Sequence, residues 1–368
     1  MKRDLPLAYG APRASITVAT RAIDVGYANT KYTLGRKVIF NEAMIETGTF
    51  PSIAASIPRS RKLEYKPGDQ ASDGCLTEID GALYFAGKGV AMHLKGSQPR
   101  HVLADYSTTP NYLALMHGAM HYMLEDAGNP QELVIEHLAL GLPLNNYSEY
   151  RTRLVELAKG THFIGSVDSA AGTRTVRVLN AYVLMQPFGA LANLGLTQGL
   201  GLEGWNLVID VGGGTVDYLV SRDRQPNLTR SGAHSGSMLE CAHAVAKEID
   251  PGLVKNYQIV EEIDQAIRLR AETFEVAGRT YYLANYAAAI DAVLRTAYEA
   301  MLANVGDFAD FRTILICGGG AEVFHSFLVR HVPSLERRIK MDAGAIFSNV
   351  RGFHIAAEAI SEAASAAV

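Results

Sequence analysis

Residues 208–220 read Val208-Ile209-Asp210-Val211-Gly212-Gly213-Gly214-Thr215-Val216-Asp217-Tyr218-Leu219-Val220, which is an acidic, glycine-rich turn between two apolar runs. Both runs have the β-branched, apolar content of strands. The three glycines can adopt positive φ without a Cβ clash, so the chain can reverse sharply there. The stretch therefore predicts a β-hairpin whose turn is the size of a phosphate group.

The turn is chemically suited to a polyphosphate. Gly212, Gly213 and Gly214 leave peptide N–H groups bare, and the missing side chains allow an anion to approach the backbone closely. Asp210 and Asp217 flank the turn and would repel a phosphate unless a cation lay between them. Mg²⁺ prefers carboxylate oxygen and keeps several waters, so the pattern points to a nucleoside triphosphate with Mg²⁺. For this stretch alone, a plain hairpin with solvated aspartates remains the alternative.

A second stretch repeats this plan near the start of the chain. Residues 22–34 read Ala22-Ile23-Asp24-Val25-Gly26-Tyr27-Ala28-Asn29-Thr30-Lys31-Tyr32-Thr33-Leu34, again an apolar strand, an aspartate, a glycine turn and a second strand. The four residues 23–26 match residues 209–212 one for one. The repetition predicts two duplicated domains that face a shared ligand.

The paired hairpins resemble the two phosphate motifs of the actin, sugar-kinase and heat-shock-chaperone ATPase superfamily. The apolar run 313–317 leads into Gly318, Gly319 and Gly320 and resembles that superfamily's adenosine motif. Residues 185–192 resemble the first segment connecting its domains, and all four motifs occur in the family's order. The resemblance implies an α/β, two-domain actin-like (ribonuclease H-like) ATPase fold with a nucleotide cleft between duplicated domains.

Two further stretches resemble the ParM/StbA group of plasmid-segregation actins. They are Gly141-Leu142-Pro143-Leu144 and Asn349-Val350-Arg351-Gly352-Phe353. This resemblance implies an ATPase that binds ATP and Mg and forms nucleotide-dependent filaments for plasmid or DNA segregation. It also implies self-association and allows a DNA-bound adaptor protein as a further partner. The chain of 368 residues ends where the substrate-binding domain of a full heat-shock chaperone would have to start.

The resemblance also implies roles for individual residues. Gln186 and Asp210 are the expected catalytic residues. A side chain at the position of Gln186 can orient the attacking water. Glutamine cannot act as a full general base, which suggests slow turnover, and a hinge glutamine bonded to backbone is the alternative. Asp24 and Asp210 are expected to bind the metal through waters. Lys31 is expected to reach a phosphate as a point charge, with a solvated strand lysine as its alternative.

The remaining expected nucleotide contacts come from the two turns, the adenosine motif and one helix. Glu240 is carried over from the loop and helix that approach the ribose in the superfamily. The full set is Asp24, Gly26, Asn29, Lys31, Gly212, Gly213, Gly214, Thr215, Asp217, Glu240, Gly318, Gly319 and Gly320.

The expected domain division follows the motif order. Residues 1–18 are a flexible arm, and residues 19–186 with 346–368 form domain I, in which 41–105 is a variable small subdomain. Residues 187–345 form domain II, with a small subdomain at about 236–305. Apolar spacing predicts helices over residues 110–126, 147–158, 238–249, 257–270, 281–302, 321–331 and from 348 onward, with a loop at 230–238.

Composition limits the classes of partner. A hydrophobic content of 48% is enough to bury a core in each domain. The net charge of −4 argues against direct nucleic-acid binding over the whole surface and leaves only a local basic patch at Arg59, Arg61 and Lys62. The three cysteines lack the spacing of a zinc site or a disulfide framework. No apolar run has the length of a signal peptide or reaches the roughly 18 residues of a membrane span. We therefore expect a cytoplasmic protein without direct membrane contact.

Two other functions are compatible with the motif set. A small-molecule kinase of the same superfamily would need an aspartate base, for which Asp217 or Asp105 are candidates. A non-enzymatic, nucleotide-gated adaptor would use the same cleft to bind nucleotide and would bind DNA-bound partners without polymerising.

Overall fold

The computed structural model describes residues 14–39, 42–59, 73–95, 105–165, 172–197, 202–223 and 225–366. Most of the expected arm, together with Arg61 and Lys62, lies outside these ranges. Strand β1 begins at Ser15, so residues 15–18, which were expected in the arm, belong to a sheet. Ser15 pairs in parallel with Glu132 on a neighbouring strand, so the pairing that orders this end comes from a distant part of the chain.

Within the described ranges, six strands precede the first α-helix, and strands and helices are interspersed after it. In order the strands are β1 Ser15–Val25, β2 Asn29–Ile39, β3 Glu42–Pro51, β4 Ala55–Ile57, β5 Cys75–Ile79, β6 Ala82–Ala86, β7 Glu132–Leu142, β8 Gly160–Ile164, β9 Arg174–Met185, β10 Trp205–Val211, β11 Thr215–Arg222, β12 Gln225–Pro226, β13 Gly232–Ser235, β14 Thr273–Val276, β15 Arg279–Tyr282, β16 Thr313–Cys317 and β17 Ile339–Met341.

The helices agree with the predicted helical segments to within a few residues, except that the helix expected from residue 281 begins at Ala287, because residues 279–282 form strand β15. They are α1 Pro110–Asp126, α2 Leu144–Ala158, α3 Gln186–Thr197, α4 Met238–Ile249, α5 Tyr257–Leu269, α6 Ala287–Val305, α7 Ala321–His331 and α8 Ser348–Ala366. Within the described ranges, none of them has the length and apolar character needed to cross a bilayer.

The first sheet has the strand order β3-β2-β1-β7-β9-β8. Residues 42–51, which were expected in the variable small subdomain, form strand β3 of this sheet and pair with β2 along their length. Phe50 on β3 is 1% exposed and packs near Tyr32, so this strand is tied to the core although its sequence is largely polar. The separate small sheet β4-β6-β5 follows in the same region.

The second sheet has the order β12-β11-β10-β16-β17, with β13 paired to β11. The predicted loop at 230–238 is therefore partly a strand. Residues 232–235 pair with residues 215–218 and satisfy the backbone of β11 on the side away from β10.

The two hairpins have the same register. Asp24 pairs with Lys31 in the first, and Asp210 pairs with Asp217 in the second, so the turns have equal length. The duplication predicted from the sequence thus extends to the backbone pairing. Lys31 and Asp217 occupy equivalent positions, with opposite charge.

The helices α3 and α8 connect the two sheets. The α3 residues Ala190, Leu191 and Leu194 pack against the second sheet, whereas Val350 and Phe353 of α8 pack against the first. The helices cross at Gly189 and Gly352. A Cβ on Gly352 would lie 1.7 Å from the carbonyl oxygen of Gly189, so only glycine allows this approach.

Candidate functional site

The turns of the two hairpins meet at one cleft. A Cβ on Gly213 would lie 2.4 Å from the Cβ of Ala28, so the second turn directly faces the first. The structure brings most of the predicted site residues into the lining of this cleft. They are Asp24, Gly26, Asn29, Lys31, Gln186, Asp210, Gly212, Gly213, Thr215, Gly318 and Gly319.

Four predicted residues do not belong to the described lining: Gly214, Asp217, Glu240 and Gly320. The side chain of Glu240 is 49% exposed and lies 3.3 Å from His243. Met238, the first residue of the same helix, takes the side facing the cleft, so Glu240 projects into a separate groove that Gly214 also lines. Glu240 therefore lies outside the described lining of the cleft, and its contact with the ribose stays a prediction. Gly320 packs beneath Met238.

Asp24 is held by two donors on the first wall of the cleft. It is 1% exposed, and its carboxylate accepts hydrogen bonds from the Gln186 amide at 2.7 Å and from the Lys31 ammonium at 3.0 Å. Because a carboxylate only accepts, the amide nitrogen of Gln186 must face Asp24. The Gln186 oxygen is therefore the atom that can accept a hydrogen bond from a water. This contact differs from the backbone bond of the hinge alternative.

Asp210 occupies the corresponding place on the second wall. It is 6% exposed and accepts a hydrogen bond from Asn349 Nδ2 at 2.6 Å. Burial raises the pKa of Asp210 to about 6, and the negative charge of Asp24 adds to the increase; Lys31 and the hydrogen bond from Asn349 act in the opposite direction. A nearby cation would restore the charged form.

Asp217 links the two halves instead of lining the cleft. Its carboxylate accepts hydrogen bonds from Thr215 Oγ1 at 2.6 Å and from the backbone N–H of Leu144 at 3.1 Å. Leu144 begins α2 in the first half, so the Leu-Pro stretch noted in the sequence supplies a contact across the cleft. Burial, and then the charge of Asp210, raise the pKa of Asp217 to about 7.

The far end of the cleft is formed by the glycines after β16 and by α5. Gly318 has φ +88°, and a Cβ there would lie 2.4 Å from Asp210 Oδ1, so this position requires glycine. Asp264 and Arg268 line this end as an ion pair at 2.8 Å. Sequence reasoning missed this pair, because i,i+4 charge spacing is equally common on solvated helix faces.

Asn349 was also missed as a site residue, although it stood in a recognised stretch. The sequence marked that stretch as a family signature and gave no indication that its asparagine contacts Asp210.

The donor set fits Mg²⁺ bound together with a nucleotide. Within the described ranges, no group of three or more His, Cys, Asp or Glu side chains is arranged to hold a metal. Mg²⁺ commonly uses one or two carboxylates and takes its remaining ligands from water and phosphate. Asp24 and Asp210 on facing walls, beside two turns with bare backbone, match that requirement.

Comparison with known proteins agrees with the duplicated architecture. The family model described as "Actin like proteins N terminal domain" matches residues 22–189, and "Archaeal actin homologue MreB-like, C-terminal" matches residues 208–330. No curated protein sequence matches the chain.

Solved structures share the fold at low sequence identity. The actin-like protein Alp7A has a TM-score of 0.71 at 14% identity, over 95% of this chain and 98% of that one. An archaeal actin homologue in complex with ADP has a TM-score of 0.67 at 18% identity, over 93% and 100%. A 15-stranded ParM filament from Clostridium botulinum gives 0.67 at 20% identity, over 94% and 100%. Consecutive matches to actin-like domains in both halves, together with this fold, show that the chain belongs to the actin-like proteins.

Proposed function

We propose that this protein binds ATP with Mg²⁺, hydrolyses it slowly and assembles into nucleotide-dependent filaments that serve plasmid or DNA segregation. One observation carries the proposal: two glycine-containing turns of equal length meet at one cleft, and each lies beside a buried aspartate. The ADP complex and the filament found among proteins of the same fold support it.

The two turns would bind the phosphates from opposite sides. Their N–H groups suit anionic oxygen, and Lys31, whose side chain is 14% exposed beside Gly26, adds a positive charge. Asp24 and Asp210 would hold Mg²⁺ through waters. The ion, when bound, neutralises phosphate charge and would allow the carboxylates to stay ionised in a buried site.

Gln186 would position the attacking water. Its nitrogen is occupied by Asp24, so its oxygen can accept one hydrogen of the water and direct a lone pair toward the terminal phosphate. An amide does not take up the proton, so the contribution is orientation without general-base catalysis, which is consistent with slow hydrolysis.

Domain closure would connect hydrolysis to assembly. Both turns would contact the terminal phosphate, and the bond between Leu144 and Asp217 already joins the halves. Loss of that phosphate would reduce the preference for the closed form. A head-to-tail contact that depends on closure would then strengthen with ATP and weaken with ADP, and its repetition without ring closure gives a filament.

The proposal includes a cytoplasmic location, a DNA-bound adaptor as a further partner, and the domain division given above, with the arm and subdomain boundaries adjusted to the strands described. Electron microscopy of the protein with ATP would separate a filament from a nucleotide-gated adaptor that stays monomeric.

Assembly can be tested by light scattering and sedimentation at high protein concentration. With ATP and Mg²⁺ we expect scattering to rise and then fall as ADP accumulates, with phosphate release over the same period. Asp210→Ala should keep the fold, judged by circular dichroism, and lose Mg²⁺-dependent phosphate release. Monomer-like sedimentation of the wild type with ATP, or normal turnover by the variant, would contradict the proposal.

The kinase alternative has less structural support. Each carboxylate oxygen of Asp217 already accepts a hydrogen bond. Asp105 is not itself part of the described lining of the cleft, although Tyr106 and Ser107 of the 3-10 turn that follows it are. Measuring phosphate release and acceptor phosphorylation with a panel of metabolites distinguishes the two functions.

A further inference from the structure

Asn349 is a buried amide at the start of α8 for which the proposed function has no role. It is 5% exposed, and both ends of its amide are occupied. Its nitrogen donates to Asp210 Oδ2 at 2.6 Å, and its oxygen accepts the backbone N–H of Ala190 at 3.1 Å. Because one end needs a donor and the other an acceptor, the amide has a single orientation.

Asn349 is the counterpart of Gln186 on the other crossing helix. Gln186 is the first residue of α3, which follows β9, and donates to Asp24. Asn349 lies near the start of α8, which follows β17, and donates to Asp210. Each site aspartate therefore receives an amide from the start of one of the two crossing helices. The two amides differ in one respect, since the oxygen of Asn349 is bound by Ala190 and is not directed at a water.

The start of α8 is itself fixed by a single carboxylate. Asp342 Oδ2 accepts hydrogen bonds from Asn193 Nδ2 at 2.8 Å and Ser348 Oγ at 3.0 Å, and lies 3.3 Å from Arg351 Nη1. Asn193 belongs to α3, so Asp342 holds the two crossing helices together on either side of Asn349. The amide is thereby carried on a rigid support.

We propose that Asn349 is a positioning residue that fixes the carboxylate of Asp210 for the Mg²⁺-nucleotide complex, and that its bond to Ala190 ties this carboxylate to the helix crossing. The inference rests on the proposed function. Partners of metal-binding carboxylates commonly change metal affinity by about 10- to 100-fold when removed. The expected effect is therefore on Mg²⁺ dependence and not on nucleotide binding as such.

The test uses a fluorescent ATP analogue whose affinity is measured in EDTA and across a Mg²⁺ titration. For Asn349→Ala we expect the half-saturating Mg²⁺ concentration to rise about tenfold or more. Affinity in EDTA should stay within about threefold of wild type. Glu358→Gln on the same helix is the matched control. Glu358 pairs with Arg36 on β2 and does not belong to the described lining of the cleft. Its Mg²⁺ midpoint should equal that of wild type.

Asn349→Ser provides a second variant, since its shorter hydroxyl is not expected to bridge both partners. An unchanged Mg²⁺ midpoint in either folded variant overturns the inference. Equal loss of affinity with and without Mg²⁺, or failure of both variants to fold, also overturns it in favour of a purely structural role. Failure of the proposed function is distinguishable, because the wild type itself would then show no Mg²⁺-dependent nucleotide binding.

Discussion

The two hairpins share a backbone plan but differ at the residue paired with the aspartate. Asp24 faces Lys31, whereas Asp210 faces Asp217. The first wall therefore carries an internal ion pair. The second wall has two neighbouring aspartates, and burial makes the ionised form of their carboxyl groups costly. This asymmetry suits a ligand that brings its own cation to the second wall.

The role of Gln186 can be tested by substitution. We expect Gln186→Ala to slow single-turnover hydrolysis by about tenfold or more, because the variant loses the oxygen that orients the water. Nucleotide affinity should change less than the rate. Gln258→Ala, on an exposed position of α5, serves as the control. A parallel loss of rate and affinity would favour a hinge role over water positioning.

At the level of elements, the crossing of α3 and α8 depends on two glycines without space for a side chain. Gly352→Ala would place a methyl group 1.7 Å from the Gly189 carbonyl oxygen, so the helices must separate. We expect a loss of about 1–3 kcal/mol in unfolding free energy, as for other overpacked sites, and weaker nucleotide binding. Denaturant unfolding and nucleotide titration measure both.

Ala359→Ser is the control for that experiment, since it changes an exposed position of α8 far from the crossing. It should leave both quantities near the wild-type values. Wild-type stability in Gly352→Ala would show that the helices can separate without cost.

A directed hydrogen-bond chain connects four other elements of the first half. His162 Nε2 must donate to the carbonyl of Ala158, so its Nδ1 accepts from His117 Nε2, and His117 Nδ1 accepts from the Thr77 hydroxyl. The chain joins β5, α1, β8 and α2 and requires both histidines to be neutral. Burial, and then the proximity of His162, lower the pKa of His117 from 6.5 to about 3.

This chain predicts acid lability. The unfolded state takes up a proton near pH 6.5 that folded His117 takes up only near pH 3, so stability falls as pH decreases between these values. We expect about 2 kcal/mol to be lost between pH 6.5 and 5 on this account, and less in His117→Gln. Denaturant unfolding at several pH values measures the difference, with His325→Gln on α7 as the control. Equal slopes for wild type and His117→Gln would contradict the assignment.

At the level of the whole molecule, the cleft couples the two halves because each contributes one turn and one aspartate. Nucleotide with Mg²⁺ at about 100 times its Kd should stabilise the folded state by about 2.7 kcal/mol and raise Tm by a few degrees. EDTA should reverse part of that increase. Differential scanning fluorimetry measures the shift. Two transitions, of which only one moves with nucleotide, would show that the ligand binds a single half.

The turns, hairpins and helices of this protein were predictable, because the residues that cause them to form lie within each segment. Both hairpins, their glycine turns and the helices α1, α4 and α7 depend on residues close together in the chain. The predictions that were wrong concern pairing with distant segments, such as β3 with β2 and β13 with β11. The polar residues of those strands give no strong alternation, and only the available sheet edge makes them extended.

The sequence alone determined the duplicated hairpins, the aspartate beside each turn and the family, because turn chemistry and apolar periodicity act over a few residues. Only the tertiary structure decided that Leu144 holds Asp217, that Asn349 holds Asp210 and that Glu240 turns away from the cleft. Those contacts depend on how two sheets are joined by crossing helices and on how each helix is rotated about its axis. Periodicity specifies the buried face of a helix, but it does not specify which distant residue that face will meet.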